Sequence, residues 1–196
     1  MQHHYIPKEQ QETGRWTGGT TTQLFIFPNE SEYKKLSFLF RISSARVEQQ
    51  KSVFTTLKGI GRHLMILDGQ MHITHRHHHQ KSMQPFETDF FMGDWETTAE
   101  GCVTDFNLML APGVTGKIDH LQIKNNCAHT IDAADWDFVA IYAWKGSIES
   151  DNQDINLYPS DFIIFDLREN RSSIRLRAAS DETTLICSFI NITRSI

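Results

Sequence analysis

The chain has 196 residues, enough for one large domain or two small ones, and 39% of them are apolar, so it can bury an ample core without crosslinks. A net charge of −5, with Lys and Arg scattered, argues against a nucleic-acid-binding surface. Cys102, Cys127 and Cys187 lie far apart with no CxxC, as in reduced structural thiols of a cytoplasmic protein. The N-terminal MQHHYIPKEQQ lacks an apolar core, and no stretch approaches the ~20 apolar residues that span a bilayer. The expectation is a soluble, cytoplasmic protein with neither nucleic acid nor membrane among its partners.

In chain order, residues 1–14 are polar, and Trp16-Thr17-Gly18-Gly19 turns into a strand over Gln23–Phe27 that Pro28-Asn29-Glu30 ends. Leu36–Val47 has strand composition, with Phe38, Phe40 and Ile42 on one face and Leu39, Arg41 and Ser43 on the other. Val53–Leu57 is a short strand, and Gly59-Ile60-Gly61 leads into the central hairpin. There Leu64–Leu67 is an unbroken apolar run, and Asp68-Gly69 suits a type I′ turn with two positive-φ residues. On the return Met71 and Ile73 alternate with His72 and Thr74, and the strand runs into His75-Arg76-His77-His78-His79.

Pro85-Phe86 begins an extended stretch reaching Gly93-Asp94, and Thr104–Leu110 is a strand closed by Ala111-Pro112-Gly113. Lys117–Asp135 holds either a short helix or a strand plus loop. Phe138–Glu149 repeats the hairpin logic, with a turn at Lys145-Gly146, and Asn156–Phe165 is a second extended stretch with a turn at Ser160-Asp161. Ser173–Leu176 and Leu185–Ile192 supply the last strands. No segment holds a helical period over three turns, so the chain is mostly β. Setting Gly69 against Gly146 also brings Gly93-Asp94 opposite Ser160-Asp161, which points to duplicated jelly-roll barrels rather than a solenoid. The division expected is an N-terminal barrel over 1–113 and a C-terminal barrel over 114–196, packed as one unit.

Several pieces in order carry a family resemblance: WTGGTTT (16–22), FRISSARV (40–47), the strand from Arg62 to Gly69, PF (85–86), FMGD (91–94) and GCVTDFNLM (101–109). The chain resembles the HutD/Ves family of two-barrel cupins over most of residues 15–110, whereas the second half matches only as a generic barrel. One departure is Thr17-Gly18-Gly19-Thr20, where many relatives have an Asn before a three-Gly run. The resemblance implies a bicupin fold with little helix and an association with bacterial histidine utilisation or stress.

Metal-binding cupins share two motifs that supply imidazoles and a carboxylate. Gly69-x5-His75-x-His77 mimics the start of the first, but Gly69 sits at the hairpin turn and so takes that motif's final Gly. Counting back then places Arg62 at the carboxylate position and Thr55, Thr56, Leu57 and Lys58 at the imidazole positions. In the second motif Gly93 and Gly101 align, with Ala99 for Pro and Thr104 for His, and in the second half Val139 stands seven before Gly146. The usual metal set is absent, and neither metal nor cofactor is expected. His75, His77 and His79 form either a transition-metal chelate or a solvated loop. His63, His72, His120 and His129 have no partners at ligand spacing.

With Arg62 and Thr104 at the positions a metal cupin gives to ligands, the barrel interior offers a fork-shaped donor suited to carboxylate or phosphate. Arg41 and Ser43 point into the same lumen, with Asp105 and Asn107 near its mouth and Trp16 as either a lid or a closing core aromatic. The alternative is that Arg41 and Arg62 pair structurally with Asp94, Asp105 or Glu96. Gly18-Gly19 lacks a phosphate-loop context, and Ser43, Ser44 and Cys102 have no positioned histidine. The function expected is a metal-free bicupin, monomer or homodimer, that binds a small carboxylate in a regulatory or housekeeping role. The alternatives are a metal-independent isomerase or hydrolase on a small polar substrate, with Asp105 as base, and a structural or interaction protein.

Overall fold

Apolar runs and period-two alternation fold almost entirely as strands in a computed structural model that describes residues 2–149 and 155–193. The strands are β1 (Gln2–Ile6), β2 (Glu12–Trp16), β3 (Gly19–Phe27), β4 (Phe40–Val47), β5 (Lys51–Val53), β6 (Gly61–Gly69), β7 (Met71–His75), β8 (Gln80–Met83), β9 (Thr88–Met92), β10 (Thr97–Glu100) and β11 (Val103–Leu110). They continue as β12 (Val114–Lys124), β13 (Ala128–Ile131), β14 (Phe138–Lys145), β15 (Ile148–Glu149), β16 (Asn156–Leu157), β17 (Phe162–Asp166), β18 (Ile174–Ala178) and β19 (Glu182–Ile192). Two single-turn 3-10 helices, at Lys8–Gln10 and Tyr33–Lys35, are the only helices among the described residues. None is long and apolar enough to cross a membrane.

The chain divides into two compact units, Glu12–Val114 with Thr193–Ile196, and Met1–Gln11 with Thr115–Ile192. In the first, a six-stranded sheet ordered β2-β3-β4-β11-β6-β9 faces a four-stranded sheet ordered β5-β10-β7-β8. Leu64 and Ile66 from the larger sheet meet Met71, Ile73, Met83 and Ala99 from the smaller in one buried cluster. In the second unit the sheets are β1-β17-β14-β19-β12 and β13-β18-β15-β16, and Val139, Ile141, Ile163, Leu185 and Leu176 are among the residues that fill the space between them. At roughly 25 cal/mol per Å² of apolar area removed from water, such clusters are the main favourable term for each unit.

Expectations change at the N-terminal segment, the domain division and the central turn. Residues 1–14 hold two strands, and the division expected at 113 groups Met1–Gln11 with the first barrel, whereas they belong to the second unit. The cause is pairing: β1 runs antiparallel to β17, and the Tyr5 hydroxyl donates to Asp161 at 2.7 Å, while Asp161 also accepts from the amides of Lys8 and Tyr158. Of the two readings of Lys117–Asp135, strand plus loop is the one seen, with a second strand, β13, after the loop. The central turn has one positive-φ residue, Gly69 (φ 83), since Asp68 stays in the ladder opposite Thr104. A Cβ on Gly69 would lie 2.5 Å from the carbonyl oxygen of Cys102, and one on Gly146 would lie 2.3 Å from that of Glu182. Both turns therefore lie tight against the start of the neighbouring strand of the sheet, β11 for Gly69 and β19 for Gly146.

The internal repeat registers at Gly69 and Gly146 but shifts downstream. Ser160, with φ 75, donates its amide to Ala143, and the Ala143 amide donates to Asp161. The equivalent turn in the first unit is Phe86 (φ 69) donating to Ile66, whose amide donates to Glu87. Ser160-Asp161 thus corresponds to Phe86-Glu87 and not to Gly93-Asp94. A matching Asp in the sequence misled where backbone geometry decides.

Candidate functional site

Three neighbouring strands of the larger sheet in the first unit build one polar wall. In β4, Arg41, Ser43 and Ala45 share a face; in β11, Asp105, Asn107 and Met109 do; in β6, Arg62 stands beside Leu64 and Ile66. Register sets Asn107 between Ser43 and Leu64, and Met109 between Arg41 and Arg62. Arg41, Ser43, Ala45, Arg62, Asp105, Asn107 and Met109 line a cavity of about 740 Å³, together with Trp16, Gln23, Tyr33 and Phe54. That volume falls within the range of small-molecule sites.

Both arginines are fixed by short contacts. The Arg41 guanidinium donates from Nε to Gln23 Oε1 at 2.9 Å and from Nη1 to Ser43 Oγ at 3.0 Å, and it lies 4.4 Å from the Tyr33 ring centre. Arg62 donates from Nη2 to Asn107 Oδ1 at 3.1 Å and lies between the Phe54 and Phe91 rings, 4.9 and 5.1 Å from their centres. Asn107 in turn donates to Asp105 Oδ1 at 2.6 Å. Cation–π contacts of this kind hold a guanidinium plane without neutralising it. Neither arginine forms an ion pair among the described residues, and the buried Arg62 Nε has no hydrogen-bond partner. Arg62 is only 6% exposed, and an orphaned buried donor is uncommon enough to need a reason.

Burial dominates the electrostatics. It pulls Arg62 down to about 10, which leaves it cationic at neutral pH. It pushes the Asp105 carboxyl up to about 7, against the opposing pull of Arg62, the Ala45 amide and Asn107. Near neutrality the wall therefore carries two cations and an acid that is half protonated.

The second unit shows what this sheet needs merely to fold. Matching the ladders at Gly69 and Gly146 puts Val139 where Arg62 stands, Leu185 where Asp105 stands, Cys187 for Asn107 and Phe189 for Met109. All four of these residues belong to an apolar core cluster. The same architecture thus closes on hydrocarbon in one unit and on a polar cavity in the other. Burying unpaired arginines is costly, and the second unit shows that the fold does not require it.

Of the residues singled out in the sequence, Arg41, Ser43, Arg62, Asp105, Asn107 and Trp16 all line the cavity, and Thr104 does not. Alternation explains the exception: Thr104 faces away from Asp105, half-buried and in register with Arg46 and Asp68. Asp105 and Asn107 are buried in the wall rather than set at a mouth, and Trp16, 39% exposed, is no core aromatic. Of the structural partners considered for the arginines, Glu96 pairs with Arg76 instead, and Asp105 reaches Arg62 only through Asn107. Gln23, Tyr33 and Phe54 were missed. Gln23 lies opposite Ser43 on β3, a partnership that only strand pairing reveals.

The fold, nearly all β with paired sheets in each unit and a polar cavity in the first, is cupin-like. A conserved protein of unknown function from Pseudomonas aeruginosa PAO1 superposes with a TM-score of 0.82 at 17% identity, over 97% of this chain and 100% of that one. HutD from Pseudomonas fluorescens SBW25 follows at 0.72 and 16% identity over 97% and 100%, and YhhW from Escherichia coli at 0.72 and 11% over 96% and 97%. No curated protein matches the sequence. The chain belongs to the HutD family, whose model matches residues 8–186.

Proposed function

We propose that the chain binds a small carboxylate in the cavity of its first unit, in a regulatory or housekeeping role tied to histidine utilisation. The observation that carries this reading is the pair of buried, ion-pair-free arginines, of which Arg62 has the apolar Val139 as its counterpart in the second unit. Guanidinium–carboxylate hydrogen bonds are the strong, planar kind, and Arg62 gives only its Nη2 to a protein side chain. A thermal-shift screen of small mono- and dicarboxylates tests it: stabilisation that Arg62→Ala removes supports the reading, and no response from any carboxylate contradicts it.

The Asp105 carboxyl gives this binding a pH dependence. With its midpoint raised to about 7, Asp105 is mostly neutral at pH 6 and ionised at pH 8, where its charge cancels one arginine and repels the ligand. Ligand carboxylates stay ionised throughout this window. Affinity is therefore expected to fall by about tenfold from pH 6 to pH 8, one pKa unit of coupling being a factor of ten. Calorimetric titration at the two pH values checks this, and an affinity that rises with pH would contradict it.

The same acid supports a second reading, metal-independent proton transfer on a small polar substrate with Asp105 as general base. A carboxyl with its midpoint near neutrality, beside two cations, suits that work. Asp105→Asn separates the two: a binding protein keeps its ligand and loses the pH dependence, whereas an enzyme binds but no longer turns over.

A further inference from the structure

The alternation that sends Met71 and Ile73 inward along β7 also carries His75 inward, where it is 1% exposed and lies 4.5 Å from the Phe91 ring centre. A solvated loop is therefore the wrong description for the first of the run. The turn after β7 is tight: the His75 amide donates to the His79 carbonyl at 2.8 Å, the His78 amide donates back to His75, and His77 has φ 64. That geometry folds His79 over His75, with ring centres 4.5 Å apart, while His78 stacks on Trp95 at 3.7 Å. The second residue of β9, Asp89, meets both imidazoles. Its carboxylate lies 2.9 Å from His75 Nε2 and 3.0 Å from His79 Nε2, and its side chain is 9% exposed. One donor atom from each residue falls within 4.8 Å of the others. None of the three lines the cavity described above.

We propose that His75, His79 and Asp89 bind a divalent first-row transition ion. Two imidazoles and one carboxylate suit such an ion and leave coordination positions open towards the half-exposed His79, whereas Mg²⁺ and Ca²⁺ favour all-oxygen sets. Ligands about 2.0–2.1 Å from a metal stand roughly 3–3.5 Å from each other, so the spacings on Asp89 need little change. Thr97 supplies the outer support. Its hydroxyl lies 2.8 Å from His75 Nδ1 and 3.3 Å from the Trp95 carbonyl oxygen. With a proton on Nε2, His75 donates to Asp89 and the Thr97 hydroxyl donates to Nδ1. With a metal on Nε2, that proton moves through solvent to Nδ1, which donates to Thr97 while the hydroxyl turns to Trp95. The site thus exchanges proton for metal without leaving a polar group unpaired, as the outer partners of metal-bound histidines do. These ligands lie outside the two motif registers of metal-binding cupins, so the substitution of Arg62 and Thr104 there does not bear on them.

The test is Zn²⁺ titration by calorimetry, with Co²⁺ absorption as a second probe, on the full untagged chain after EDTA treatment and dialysis. One equivalent is expected, with a rise in Tm. His79→Gln, at a half-exposed position, and Asp89→Asn should each weaken binding at least about tenfold, while the double change His77→Asn/His78→Asn leaves it within about twofold. Arg62→Ala should bind Zn²⁺ like the parent, so failure of this site and failure of the carboxylate reading are told apart. Absence of saturable binding, binding unchanged by Asp89→Asn and His79→Gln, or binding lost in the double change would each overturn the proposal.

Discussion

Arg62→Met is expected to abolish carboxylate binding and to leave the protein folded with an undiminished Tm. The two halves of this result come from different physics. Arg62 is buried, carries its charge without an ion pair, and leaves Nε unpaired, so the native state bears a desolvation cost that an apolar side chain removes. Methionine matches the length of the arginine stem and fits against Phe54 and Phe91, the rings that now flank the guanidinium. Replacing a buried charge with an apolar group of similar volume is often neutral or stabilising. Binding behaves in the opposite way. Hydrogen bonds to charged groups contribute about 1.5–3 kcal/mol each, so losing a two-bond contact predicts a fall in affinity of at least about 100-fold. Arg62→Lys keeps the charge but not the fork, and should fall between the two. A Tm drop of many degrees in Arg62→Met would mean that the arginine holds the barrel together rather than serving a ligand.

Gly69→Ala should be among the most damaging small changes in the chain, with about 3 kcal/mol lost. Two costs add. At φ 83 an L side chain is strained by about 1–2 kcal/mol, and a Cβ would lie 2.5 Å from the Cys102 carbonyl, which is backbone directly before β11. Gly113→Ala is the control. It has nearly the same φ, 82, but nothing lies within 4 Å of an added Cβ, so only about 1 kcal/mol should be lost. Chemical denaturation of the two variants measures the difference directly. Equal losses would show that φ alone decides and that the close approach of the turn to the adjacent strand costs nothing.

The polar wall was legible in the sequence because alternation is a local rule. Once Phe40 and Ile42 are assigned to one face of β4, Arg41 and Ser43 must share the other, and the counting from Gly69 places Arg62 inside. The same rule also excluded Thr104, had it been applied from Asp105 and Asn107 instead of from a motif position. It equally places His75 inside, two residues after Ile73, although the histidine run that follows has the composition of a solvated loop. What period cannot give is pairing. That Gln23 braces Arg41, that Tyr33 and Phe54 support the two guanidinium planes, and that β1 belongs to the second unit depend on contacts between distant segments. The shifted repeat has the same origin, since Phe86 and Ser160 share a backbone conformation with no side-chain likeness.

The central claim is that the polar cavity of the first unit takes a small carboxylate on its two buried arginines. Isothermal calorimetry of the wild-type chain and Arg62→Met with mono- and dicarboxylates at pH 6, where Asp105 is mostly neutral, tests it most directly. The expected result is saturable one-to-one binding of at least one carboxylate by the wild-type chain and none by a well-folded Arg62→Met. Binding of equal affinity to both proteins, or no carboxylate binding to the wild-type chain, would contradict it.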